Sequence, residues 1–312
     1  MLDWPAGCAL SESRVDERMI NALSFDVEEY FHAAALAHAF GDAPWTSLPS
    51  RVRAATERIL DLLDEAGARA TFFVLGWVAE RQPELVREIR RRGHEVACHG
   101  YSHSLVYEQS VEEFRSETRR AKSVLEDILG ETVDGYRAAS FSVTRKSLWA
   151  LDVLVEEGFR YDSSVFPIFH DRYGIPGAPR RPHRLLLGEG RSLVEFPPST
   201  VRYGPLTLPV GGGGYFRLLP YGYTSRLVKR LVLRERTPLM FYLHPWEVDD
   251  GQPVGRVSPL TRVRHYFNIS RCAGRLAGLL REYRFGTVRE SLSALGEPLP
   301  EHAYGAAAAT QC

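Results

Sequence analysis

The chain has 312 residues, 44% of them hydrophobic and 25% charged, an ordinary make-up for a folded protein with one large core. Its 39 basic and 39 acidic residues cancel, so bulk charge gives no reason to expect nucleic acid or an anionic membrane surface as a partner. The cysteines Cys8, Cys98, Cys272 and Cys312 show no Cys-x-x-Cys spacing, which argues against a disulfide framework and suits a reducing compartment.

The opening MLDWPAGCALSESRVDER lacks a basic start and a long apolar run, and no segment reaches the roughly 18 apolar residues of a membrane span. The expectation is a cytoplasmic protein with a flexible extension over 1–18. From Ile20, strand and helix patterns alternate: NALSFDV is a strand, Arg51 to Glu65 an amphipathic helix ended by Gly67, and ATFFVLG a second strand. Pro83 opens a helix over ELVREIRRRG, HEVACHG is a strand, and Val111 to Leu129 is a long helix. GYRAASF closes a strand, Lys146 to Glu157 is a helix, and FRYDSSVF is a short strand. Such alternation predicts a parallel sheet or barrel with its reactive residues at strand C-terminal ends.

Beyond Pro167, HDRYGIPGAPRRPHR reads as a loop, and LVEFPPSTV and LPVGGGGYF as short strands. The glycines from Gly211 to Gly214 lack the Lys-Ser/Thr of a phosphate loop and predict a close backbone approach instead. Tyr221 to Arg234 is a helix, PLMFYLHP a buried strand, Arg262 to Glu282 one helix and RFGTV a last strand. Residues 297–312 read as a disordered tail, which leaves 19–296 as the folded domain.

Four motifs carry chemistry. His99 and His103, four residues apart after a strand, can present ring nitrogens to one cation, with a carboxylate from elsewhere completing a three-ligand site. In Ser24-Phe25-Asp26-Val27-Glu28-Glu29, extended backbone turns Asp26 and Glu28 to one face and Glu29 to the other, so one of the pair can bind metal while the other takes a proton. Arg137, in GYRAASF, can hold one of these carboxylates ionised. His244 ends the apolar strand of FYLHPWE and is the candidate proton donor.

The ordered set SFDVEE, HGYSH, GYRAASF, YDSS and LHPWE resembles the polysaccharide deacetylases of carbohydrate esterase family four, with a nodulation-type deacetylase fold, from about Met19 to Val288. EYFH, FPIFHDRYGIPGAPR, LPVGGGGYFRLLPY and HPWEVD resemble the subgroup found with exosortase and exopolysaccharide loci, whose C-terminal region of unknown function here covers 166–296 and supplies His244. The resemblance implies an α/β fold, a distorted (β/α) barrel with an elaborated C-terminal half. It implies His99 and His103 as metal ligands, Asp26 as catalytic base, Arg137 as its buttress and His244 as general acid. Val27 stands where that family has a second aspartate, which makes Glu28 the choice for the carboxylate ligand. The acid supporting His244 is expected to be Asp162, with Asp171 as the alternative.

The implied activity is removal of N-acetyl groups from a bacterial polysaccharide or its oligosaccharide precursor with a divalent metal, zinc being the first choice. An N–H near Ser140 or Phe141 can serve as an oxyanion donor, worth roughly 3 kcal/mol. Phe141, Trp246 and Tyr215 are candidates for sugar binding. Two other readings are a cyclic imide or ureide hydrolase of the same fold and a catalytically silent glycan-binding protein; no nucleic acid and no membrane span are expected.

Overall fold

In a computed structural model of the chain, residues 19–36, 39–41 and 43–304 are described, and the expected extension 1–18 lies outside them. Strands β1 (Asn21–Val27), β2 (Thr71–Val74), β3 (Glu95–Cys98), β4 (Gly135–Tyr136) and β5 (Tyr161–Asp162) alternate with helices α1 (Val52–Ala66), α2 (Gly76–Arg81), α3 (Pro83–Arg91), α4 (Val111–Leu129) and α5 (Trp149–Glu156). Local chemistry sets the helix ends. Gly67 takes φ 59° to stop α1, Pro83 occupies the first turn of α3, and Ser110 with Glu113 forms a capping box at the start of α4.

The second half adds β6 (His183–Leu186), β7 (Ser192–Glu195), the hairpin β8 (Thr200–Tyr203) and β9 (Leu206–Pro209), then α6 (Gly213–Leu218), α7 (Tyr221–Lys229) and β10 (Met240–Leu243). It ends with α8 (Pro259–Tyr266), α9 (Ile269–Glu282), β11 (Phe285–Gly286), α10 (Val288–Leu295) and β12 (Glu301–His302). The main sheet runs β10-β1-β2-β3-β4-β5-β7-β6-β12, parallel from β10 to β7 and antiparallel only between β7 and β6. The chain beyond β7 then reaches β10: Ser199 Oγ accepts from the Met240 N–H at 2.8 Å, and the Tyr242 N–H donates to Gly211 O at 2.5 Å. These irregular links, in place of a regular strand pair, make the barrel a distorted one.

Side-chain alternation then sorts the core. Leu23, Phe25 and Val27 of β1 pack outward under the helices with Phe72, Val74 and Val96, whereas Ala22, Phe73, Ala97, Tyr161, Phe196 and Met240 fill the barrel interior. Phe73 is fully buried, and its loss to alanine would cost about 3–5 kcal/mol. The bottom is closed by Glu95, which accepts hydrogen bonds from Thr71 Oγ1 at 2.6 Å and Tyr161 OH at 3.0 Å. The open end is left to the strand C-termini.

Several elements differ from their sequence readings. The helix expected over Arg262 to Glu282 is two, α8 and α9, because Asn268 takes φ 57° and the buried Arg217 guanidinium donates to the carbonyls of His265 and Phe267, which ends α8. LPVGGGGYF is not all strand: the chain turns at Gly212 and begins α6. A Cβ at Gly212 would lie 2.0 Å from Tyr242 O, so the close approach read from the glycines is met here. Thr287, read as the end of a strand, caps α10. Residues 297–304, read as part of the tail, are ordered, since β12 pairs with β6 and the Arg184 N–H donates to Pro300 O at 2.8 Å; 305–312 lie outside the described residues. Cys98 and Cys272 are free and buried, and among the described residues no helix is long and apolar enough to cross a membrane.

Candidate active site

The strand ends converge as the barrel geometry requires. Asp26 points into the mouth from β1, and Glu28, just past its end, lies on the same side. Glu29 faces away: it accepts hydrogen bonds from the backbone N–H groups of Arg51 (2.9 Å) and Val52 (3.2 Å), so it anchors the start of α1. The facing argument read from the alternation therefore holds in the structure.

His99 follows β3, and its Nδ1–H donates to Arg137 O at 2.8 Å, a partner that can only accept. That bond leaves the Nε2 lone pair free. Gly100 at φ 77° and His103 itself at φ 57° bend the chain back, so that His103 Nε2 comes within 2.6 Å of Glu28 Oε2. One ligand atom each from Glu28, His99 and His103 lie within 4.8 Å of one another, and all three residues are buried or nearly so. Two imidazole nitrogens and one carboxylate oxygen, with a backbone carbonyl fixing one ring, suit a divalent cation that keeps positions open for water and substrate. Burial alone would raise the Glu28 carboxyl, but the charge and hydrogen bond of His103 and the charge of His244 outweigh it and hold it well below the usual range. The same burial lowers His99, which keeps its ring neutral and able to ligate.

Arg137 leaves β4 into the interior and is fully buried. Its Nη1 donates to Asp26 Oδ1 at 2.7 Å and to Ser24 Oγ at 2.8 Å, its Nη2 to Ser163 Oγ at 2.9 Å, and its Cζ lies 4.0 Å from the centre of the Phe73 ring. The guanidinium thus fixes one oxygen of Asp26 and leaves Oδ2, 3.9 Å from His244 Nε2. His244 Nε2 is also 3.9 Å from Glu28 Oε1.

The support for His244 differs from the expectation. Neither Asp162 nor Asp171 provides it: Asp162 takes hydrogen bonds from Ser164 and shares one with the buried Glu195, while Asp171 is exposed and pairs with His170. Glu247 is the partner, with Oε2 2.9 Å from His244 Nδ1, and Arg217 Nε donates to Glu247 Oε1 at 2.7 Å. The reason is local. Pro245 starts a short 3₁₀ turn, so the side chain three residues on folds back onto His244. Burial lowers His244, yet the hydrogen bond to Glu247 and the charges of Glu28, Glu247 and Asp26 outweigh it and raise the ring to about 9. Glu247, raised by burial, is brought to about 2 by Arg217 and His244.

Two of the three aromatic candidates, Trp246 and Phe141, differ from their expected role. Both faces of Trp246 are covered, by His244 at 4.6 Å and His265 at 4.5 Å, and its Nε1–H donates to Glu28 Oε1 at 3.0 Å. It orients a carboxylate and offers no free face to a sugar ring. Phe141 is buried against Phe166 at 5.2 Å and Tyr242 at 4.8 Å, and its N–H is taken up by Ala138 O at 3.1 Å, which removes it as an oxyanion donor. Tyr215 is half-buried on α6 and engages the hydroxyl of Tyr173. Sequence reasoning missed the roles of Arg217, Glu247 and His32. His32 accepts the Glu29 N–H at Nδ1 and lies parallel to His103 at 6.1 Å. The His-x-x-Glu spacing of 244 and 247 was the available signal for Glu247.

Two family models match the chain: polysaccharide deacetylase over residues 31–158 and a domain of unknown function (DUF3473) over residues 163–293. His99, His103 and Arg137 fall in the first match and His244 in the second, so the cluster draws on both. The chain is 32% identical over 111 residues to a peptidoglycan-N-acetylglucosamine deacetylase of Bacillus cereus, an alignment that covers 33% of this chain and 38% of the relative. It is 30% identical over 99 residues to a chitooligosaccharide deacetylase of a Bradyrhizobium species, covering 32% and 43% respectively. The chain thus spans less than half the length of these curated relatives. A crystal structure described as a "putative polysaccharide deacetylase" from Mycobacterium smegmatis matches 92% of this chain and 95% of its own with a TM-score of 0.53 at 23% identity, a likeness of fold.

Proposed function

We propose that the chain is a member of the polysaccharide deacetylase family, a divalent-metal-dependent N-deacetylase acting on a bacterial polysaccharide or its oligosaccharide precursor in exopolysaccharide biosynthesis. One observation carries the reading: Glu28, His99 and His103 offer a three-ligand cluster beside a fixed Asp26 and a protonatable His244. The ligands in this reading are Glu28, His99 and His103, and zinc fits their mixed nitrogen and oxygen donors. When bound, such an ion supplies Lewis acidity toward an amide carbonyl and makes a water more acidic.

The chain's own groups do the rest. Asp26, its Oδ1 held by Arg137, takes the proton of the attacking water at Oδ2. Water oxygen adds to the acetamide carbon and the C–N bond breaks, with the nitrogen leaving as an amine after His244 Nε2 donates a proton. Glu247 and Arg217 keep that imidazole charged and oriented. The products are acetate and the free amino sugar.

The test is acetate release from an N-acetylated oligosaccharide, with and without chelator, beside a small cyclic imide as competitor substrate. Acetate release that stops in chelator and in Asp26→Asn supports the reading. Turnover of the imide alone would assign the site to cyclic amides, and binding of the glycan without turnover would make it a silent glycan-binding protein.

A further inference from the structure

The zero net charge hides a local imbalance. Between Gly251 and Arg281 stand Arg256, Arg262, Arg264, Arg271, Arg275 and Arg281, without one aspartate or glutamate. Arg275 is spent on the backbone carbonyls of Phe216, Arg217 and Leu219. Arg256, Arg262, Arg264 and Arg271 are exposed, and none of these four forms an ion pair among the described residues.

Apolar side chains share this surface. Val254 is 56% exposed, Leu260 60%, Val263 53% and Phe267 47%. On α8, the spacing of Leu260 and Val263 places them on one outward face, with the exposed Phe267 just past the helix end, while His265 packs inward on Trp246. The loop carrying Phe169, 88% exposed, lies within electrostatic reach of Arg264, and the exposed acid of that loop, Asp171, is paired with His170 at 2.8 Å.

We propose that the outward face of α8 docks on the surface of an anionic phospholipid bilayer. A soluble polyanion would satisfy the arginines and leave the apolar side chains in water. A second copy of this chain would bring the same arginines against each other. An anionic bilayer meets both demands, with phosphates for the guanidinium groups and the acyl boundary for Leu260, Val263 and Phe267. Eight residues of helix extend about 12 Å, far short of a span, so α8 lies in the plane of the interface. Its inner side already touches the site, because His265 stacks on Trp246 and Trp246 bonds Glu28. On the proposed deacetylase reading, docking would therefore hold the Glu28, His99 and His103 cluster one helix away from the bilayer.

The experiment is co-sedimentation of the full chain with vesicles of phosphatidylglycerol and phosphatidylcholine, and with vesicles of phosphatidylcholine alone. Binding is expected only to the first and should weaken as salt rises. R262E/R264E should lower the partition coefficient at least about tenfold, and L260S/V263S should lower it as well, with melting temperatures close to that of the unaltered chain. No binding to the anionic vesicles, or binding by either double variant equal to that of the unaltered chain, overturns the proposal. Dextran sulfate binding as tight as vesicle binding and unaffected by L260S/V263S would reassign the patch to a soluble polyanion and overturn it too.

Discussion

Trp246 donates its indole N–H to Glu28 Oε1 at 3.0 Å, which leaves Glu28 Oε2 turned to His103. An aromatic residue from the C-terminal half thereby orients a carboxylate from the first strand. Trp246→Phe keeps a ring between His244 and His265 and removes only the donor. Zinc affinity measured by competition with a chelating dye should fall about 10–100-fold, with little change in the melting temperature of metal-free protein. Unchanged affinity would show that the indole has no part in orienting Glu28.

Metal should stabilise the fold through the same cluster. With free zinc at about 100 times its Kd, linkage predicts a gain of about 2.7 kcal/mol, visible as a rise in Tm. The gain should vanish in the double variant His99→Ala/His103→Ala, along with stoichiometric metal in elemental analysis. Retention of one equivalent of metal by that variant would place the ion elsewhere.

The two inward carboxylates are expected to divide their work. Asp26→Asn should keep metal and lose turnover, while Glu28→Gln should lose metal, and the opposite pattern would exchange their roles. Glu29→Gln should do neither, and should cost about 1 kcal/mol of stability through the weakened anchor at the start of α1.

Arg137 tests the buried support of Asp26. Removing one partner of a fully buried ion pair leaves the other uncompensated, so Arg137→Met should destabilise the protein by about 3–5 kcal/mol in urea denaturation. A loss below about 1 kcal/mol would mean that Asp26 is neutral or solvated without it.

The pair His244 and Glu247 sets a pH window. His244 is raised from 6.5 to about 9, so its contribution to stability is whole below 6.5 and is lost as pH rises through 9. Glu247 is lowered from 4.5 to about 2, so its contribution is whole above 4.5 and is lost as pH falls toward 2. In chelator, the stability of the unaltered chain relative to Glu247→Gln should therefore be greatest between 4.5 and 6.5 and shrink on either side. A difference that does not vary with pH would refute the pairing. The alkaline limb of turnover should move to lower pH in Glu247→Gln. His244→Ala should cost about 100-fold on an acetamide and much less on an activated anilide.

The order of elements from β1 to β5, the inward facing of Asp26 and Glu28, and the His99 and His103 pair were legible along the chain, because period-two alternation and strand-end placement are local properties. The partner of His244 was nearly so: Glu247 stands three residues away behind a proline, but only the 3₁₀ turn shows that it folds back. Trp246, Phe141 and Tyr215 could not be assigned from sequence, since an aromatic side chain has the same pattern whether its faces are free or covered. Tertiary packing decided that, by laying His244 and His265 on the two faces of one indole. It also decided the break between α8 and α9, where Arg217, about fifty residues earlier in the chain, takes the carbonyls that a continuous helix would have used. Local patterns determine which way a side chain leaves its own strand or helix. Which distant group it meets depends on how the barrel closes, and no pattern within a single segment records that.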